Sequence, residues 1–121
     1  MNLIRFICGE DGENYEVMAE ASKVSAVSKD QFGRWRVWML GDPSPYTIIE
    51  MIKDLKGFIQ LHDDDGDGIL INPKHFSSAT GKGAEKGSLV YLESLDDEPF
   101  TVRESLDELQ TLLLERKEHV I

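Results

Sequence analysis

Thiol chemistry is nearly absent from this chain: Cys8 is its one cysteine. No intrachain disulfide can form, and within Leu3-Ile4-Arg5-Phe6-Ile7-Cys8 the thiol reads as a buried strand residue rather than a nucleophile. Positive charge is also scarce, with 13 Lys plus Arg against 23 Asp plus Glu and a formal net charge of −10. Such a field repels phosphate backbones and favours basic proteins or cations, which argues against direct nucleic-acid binding. The imbalance sits in the second half: residues 1–57 hold 9 acidic and 7 basic residues, residues 58–121 hold 14 and 6. No stretch approaches the roughly 18 apolar residues of a membrane span. Nor does the sequence open with a basic region, a long apolar segment and a cleavage signal. The expected setting is the cytoplasm, without membrane contact.

What the chain does contain is enough apolar material to fold. Hydrophobic residues make up 40% and charged residues 30% of its 121 residues, a globular composition. Half of that length would sit near the lower limit for an independent core, so one domain over 1–121 is expected.

The pattern within it is a repeat at an offset of 54 residues. Asp11-Gly12 matches Asp65-Gly66, Gly33 matches Gly87, Pro45 matches Pro99, Thr47 matches Thr101, Glu50 matches Glu104 and Leu55 matches Leu109. Identities at turn residues with apolar equivalence between them are what a duplicated fold requires. The units run approximately 1–57 and 58–121. The expected fold is α+β: a duplicated, hairpin-rich unit with a closing helix, forming a pseudo-twofold single domain.

In each unit the periodicity predicts a first strand (Leu3–Cys8; Phe58–His62), an Asp/Gly turn (Gly9–Asn14; Asp63–Gly68) and a returning strand (Tyr15–Met18; Ile69–Asn72). Further strands follow at Trp35–Leu40 and Leu89–Glu93, then short ones near Pro45–Ile48 and Pro99–Val102. The second unit closes with a helix whose start has two readings, a cap at Thr101 with Glu104 or at Ser105 with Glu108. Ile48, Ile52 and Leu55 offer the first unit similar helical spacing.

Asp63-Asp64-Asp65-Gly66-Asp67-Gly68 is the sharpest chemical signal. Asp63, Asp65 and Asp67 occupy positions 1, 3 and 5 of an EF-hand loop, with Gly68 at position 6 and Leu70 at the apolar eighth. The closing glutamate is replaced by Lys74, and the flanks read as strands. An acidic solvated turn or a weak divalent-cation site are the two readings. His62, beside these aspartates, is a further possible metal contact, while His75 and His119 have no diagnostic spacing. Gly81–Gly87 lacks the Gly-Lys-Ser/Thr ending of a phosphate-binding loop and reads as a hairpin connection. With no identifiable nucleophile or pocket, neither an enzyme nor a resident cofactor is expected.

Recognition of a protein partner is the expected activity. Arg36 and Trp38 share one face of their strand and are candidate interface residues, with Leu112 and Leu113 on the closing helix as a second candidate surface. A regulatory adaptor is the leading class, with a homodimer as one possible assembly. The alternative is a nucleic-acid mimic, which needs Asp63–Asp67 and Asp96–Glu98 on one exposed face.

Across Phe58–Gly68, Ile69-Leu70-Ile71-Asn72-Pro73-Lys74-His75-Phe76 and Phe100–Leu109, the second unit resembles the small bacterial proteins of the FlbD and SwrD type. That resemblance implies a short β-rich architecture and a connection to flagellar regulation or motor function. It implies no catalytic residue. The first unit follows the pattern in outline, with Met18-Ala19 in place of Asn72-Pro73.

Overall fold

A largely apolar run whose burial alternates residue by residue opens the first hairpin. The computed structural model describes residues 2–10, 12–30, 32–42, 44–49, 52, 55–82, 86–93, 95 and 99–118. Strand β1 (Leu3–Glu10) turns Ile4, Phe6 and Cys8 inward and pairs antiparallel with β2 (Glu13–Glu20). At the connecting turn Gly12 takes a φ of 81°, a left-handed conformation that glycine adopts without a Cβ penalty. A 3-10 turn, Ala21–Lys23, leads into β3 (Val24–Lys29), followed by β4 (Trp35–Met39) and β5 (Tyr46–Ile48).

The second half passes through the same order. It comprises β6 (Ile59–His62), β7 (Gly68–Ile71), a 3-10 turn at Pro73–His75, β8 (Phe76–Gly81), β9 (Ser88–Leu92) and β10 (Phe100–Val102). The helix α1 (Leu106–Glu118) follows. The chain is thus α+β, rich in antiparallel sheet with one C-terminal helix among the described residues. Strands β3 and β8 precede the strands expected at Trp35 and Leu89, and the sequence reading missed both. Their Ser- and Ala-rich sequences, VSAVSK and FSSATG, carry a weak strand signal.

A seven-stranded sheet runs β2-β1-β5-β4-β3-β7-β6 and a three-stranded sheet runs β10-β9-β8. The sheets meet where the Arg103 amide donates to the His62 carbonyl at 2.8 Å, just as the Ile49 amide donates to the Ile7 carbonyl at 3.1 Å in the first half. The halves are joined by β3 and β7, with Ala26 opposite Ile71 and Val27 opposite Leu70. A pseudo-twofold joint that pairs β3 with β7 would also pair β8 with β2. Among the described residues only the β3–β7 ladder is formed, joining the strand after one 3-10 turn to the strand before the other.

Two cores flank the joint. Ile4, Phe6, Cys8, Val24, Val27, Val37, Met39 and Ile48 fill the first, while Leu61, Ile69, Ile71, Val90, Leu92, Val102, Leu109 and Leu113 belong to the second. Ala26, on β3, packs in the second core, and β4 sends Trp35 to the first and Trp38 to the second. Both strands therefore serve both cores, which is why β3 is buried along nearly its whole length instead of alternating.

The open question of the helix start is resolved at Ser105. The Glu108 amide donates to Ser105 Oγ at 3.1 Å, and the Ser105 amide donates to Glu108 Oε1 at 3.3 Å. This reciprocal pair satisfies amides that the first helical turn otherwise leaves unpaired. The corresponding helix expected in the first half falls largely outside the described residues. Within them, Ile52 is buried and Leu55 packs against the first core.

Candidate functional site

The aspartate-rich turn connects β6 to β7 and is shaped by its own first carboxylate. Asp63 Oδ1 accepts from the amides of Asp65 at 3.0 Å and Asp67 at 2.8 Å. The Gly66 amide donates to the Asp63 carbonyl at 3.0 Å, with Gly66 at a φ of 87°. Asp side chains fold turns this way because the short carboxylate reaches amides two to four residues ahead. The result brings oxygens of Asp63, Asp65 and Asp67 within 4.8 Å of one another, with Asp65 exposed and its two neighbours half-buried.

Two lysines already address this turn. Lys29 Nζ lies 3.8 Å from Asp67, and Lys82 Nζ lies 3.6 Å from Asp64. Strands flank the loop on both sides, and Lys74 sits in the 3-10 turn beyond β7, so the helix-loop-helix setting of an EF-hand is not built here. His62 turns to Glu104 rather than to the aspartates: Nδ1 lies 2.8 Å from Glu104 Oε2, and the His62 amide donates to Oε1 at 2.8 Å. His119 lies outside the described residues.

Next to the turn, a cleft of about 430 Å³ opens between the halves, lined by Lys29, Asp30, Arg36, Trp38, Asp63 and Phe100 among others. Arg36 and Trp38 thus share a face, as expected, but that face is half-buried and turned toward the second half. Trp38 stands edge-on to Phe100 with centroids 5.7 Å apart, and its Nε1 donates to Ser28 Oγ at 3.2 Å. On the helix, Leu113 is buried in the second core and Leu112 packs partly against it. The exposed leucines of the helix are Leu106 and Leu114.

Asp30 organises the β3–β4 connection. Burial pushes its carboxyl up, but this is outweighed by hydrogen bonds from the Arg34 amide, the Arg36 guanidinium, the Phe32 amide and the Arg34 guanidinium, leaving a pKa of about 2. A carboxylate whose folded pKa is depressed stabilises the fold above its unfolded pKa and loses that contribution as pH falls through the folded value. Asp30→Asn is therefore expected to lower the unfolding midpoint by a few degrees at pH 6, on the order of 1 kcal/mol for partly exposed charge-assisted bonds. The deficit should shrink between pH 4 and pH 2. A gap that stays constant down to pH 2 in thermal scans would contradict this assignment.

A buried polar cluster that the sequence reading did not single out lies at the joint. Ser25 Oγ is 2.8 Å from His75 Nδ1, Asn72 Nδ2 donates to the Val24 carbonyl at 3.0 Å, and the Asn72 amide donates to the Ser25 carbonyl at 2.9 Å. Asn72 Oδ1 also accepts from the Lys74 amide at 3.0 Å, capping the 3-10 turn. Ser25, Asn72 and His75 are all buried, so this Ser–His pair is closed to substrate and acts in holding the halves together. The available signal was Asn72-Pro73, a capping residue followed by the proline favoured at a first helical position.

The mimic reading depends in part on Asp96–Glu98, which lie outside the described residues. Among the described residues, no helix is long and apolar enough to cross a membrane. In comparisons with protein families, curated proteins and solved structures, nothing matches this chain.

Proposed function

We propose that this chain acts by binding rather than by catalysis, and that its Asp63–Asp67 turn is a low-affinity site for a divalent cation. The observation that carries the reading is the convergence of three carboxylates within 4.8 Å. Hard oxygen donors suit calcium, whose usual 6–8 ligands would be completed by water. Lys29 and Lys82 compete for the turn's aspartates, so affinity is low. Titration calorimetry with calcium chloride at moderate ionic strength is expected to give a saturable isotherm with a Kd on the order of 1 mM, the weak end for calcium modules. Asp65→Ala should weaken it several-fold, since Asp65 makes no turn-forming side-chain hydrogen bond among those of the described residues. The absence of saturable heat, or an unchanged isotherm in Asp65→Ala, sinks the cation site.

The broader role is that of a regulatory adaptor for a basic protein, supported by the acidity of the second half. We also read the chain as a tandem duplication folded as one cooperative domain. The repeated element order, the shared left-handed glycines at Gly12 and Gly66, and those at Gly33 and Gly87 support that history.

A further inference from the structure

Of the four terminal strands, β6 and β10 are linked by the bond from the Arg103 amide to the His62 carbonyl, which leaves β2 and β8 with an open outer edge among the described residues. They are different in kind: β2 enters a 3-10 turn and β8 leaves one. The same relation holds inside the chain, where β7 enters the turn Pro73–His75, β3 leaves the turn Ala21–Lys23, and the two strands pair. The outer ends therefore carry a second example of each edge that builds the internal joint.

We propose that β8 is a docking edge for β2 of a second copy of this chain, in a head-to-tail antiparallel ladder that continues the β3–β7 joint. Counting from the 3-10 turns sets the register. Ala26 opposite Ile71 and Val27 opposite Leu70 translate into Ser78 opposite Ala19 and Ala79 opposite Met18. Met18 is 65% exposed in the single chain. Its internal counterpart Leu70 packs against the first core. Beside β8 lies an apolar groove of about 340 Å³, lined by Phe76, Ala79, Leu106, Leu109, Leu113 and Leu114 among others, which would receive the Met18 side chain.

Charge points the same way. Strand β2 contains Glu13, Glu16 and Glu20 and no base, while β8 contains no acid and is flanked by Lys74 and Lys82. In the proposed register Glu16, which pairs with Arg5 in the single chain, falls opposite Gly81, beside Lys82, which there faces Asp64, so docking would exchange these surface pairs for one across the ladder. A contact between unlike edges leaves the complementary edges open, so it propagates until the copies close into a ring or extend as a filament; with β2 and β8 at opposite ends of the chain, the open form is expected. The inference goes beyond the cation reading and does not rest on it.

Sedimentation over a concentration series at 0.15 M salt tests this, the salt screening the acidic field. The mean mass should rise past that of a dimer, with a link affinity on the order of 0.1 mM, as for contacts below the standard interface size. Met18→Glu blocks the β2 edge, and Ser78→Glu with Thr80→Glu blocks the β8 edge. Each protein alone should remain monomeric, while an equimolar mixture should form a capped dimer and grow no further. A constant monomer mass for the unaltered chain, continued growth by either variant, or a mixture that stays monomeric while both variants keep their unfolding midpoints would overturn the proposal. Hydrogen exchange on the unaltered protein provides a measurement free of mutation: the Met18 and Ala79 amides point away from the strands β2 and β8 already pair with, so their protection should rise with concentration, and protection independent of concentration contradicts the docking.

Discussion

Gly87→Ala is expected to destabilise the protein by on the order of 3 kcal/mol, adding backbone strain to overpacking. Gly87 has a φ of 110°, and an added Cβ would stand 2.5 Å from the Val102 carbonyl oxygen and 3.4 Å from the Arg103 Cα. The obstruction is backbone rather than a mobile side-chain tip. Relief would require moving β10 away from β9 where Val102 pairs with Ser88. It would also disturb the bond from Ser88 Oγ to the Glu104 carbonyl, 2.9 Å long. Gly33 is the matched control. Its φ is 80°, but an added Cβ would meet no atom within 4 Å, so Gly33→Ala carries only the conformational cost of roughly 1–2 kcal/mol. Urea unfolding should place Gly87→Ala well below Gly33→Ala in midpoint, with a loss of roughly 10 °C or more in thermal scans. Equal losses in the two variants would show that the close approach to Val102 contributes nothing.

Leu61→Ala should cost about 2–5 kcal/mol, the range for emptying a packed leucine site. Leu61 is fully buried in the second core, on a strand that pairs with β7, and β7 in turn pairs with β3 of the first half. If that ladder and the shared strands β3 and β4 transmit cooperativity, the deficit is felt in both cores together. Trp35 packs against the first core and Trp38 against the second. Fluorescence of Trp38→Phe follows Trp35, and fluorescence of Trp35→Phe follows Trp38. Introducing Leu61→Ala into each background should lower both midpoints by the same amount. A Trp35 signal whose midpoint does not move would mean that the halves unfold separately.

Much of the local structure was legible because its causes lie close together in the chain. Short strand-forming apolar runs marked the β1–β2 and β6–β7 hairpins, and Asp-Gly pairs marked their turns. The Ser105–Glu108 spacing held one of two possible caps, which the hydrogen bonds then selected. Strands β3 and β8 were missed for a local reason as well: serine and alanine supply little apolar contrast, and β3 is covered on both sides. Leucines at 106, 109, 112, 113 and 114 pointed to a broad apolar helix face, but not to which of them would be covered.

By itself, then, the sequence determined the acidic field, the hairpins with their left-handed glycines, the closing helix and the clustering of Asp63, Asp65 and Asp67 in one turn, since each follows from composition or from hydrogen bonds within a few residues. Only the tertiary structure decided that β3 pairs with β7, that Arg36 and Trp38 face the second half, that Leu113 is buried while Leu106 and Leu114 are exposed, and that Asn72, Ser25 and His75 hold the joint. Those outcomes depend on which of several sheet edges and apolar faces meet across 40 or more residues of chain, a choice made by mutual burial and satisfied polar groups rather than by local periodicity.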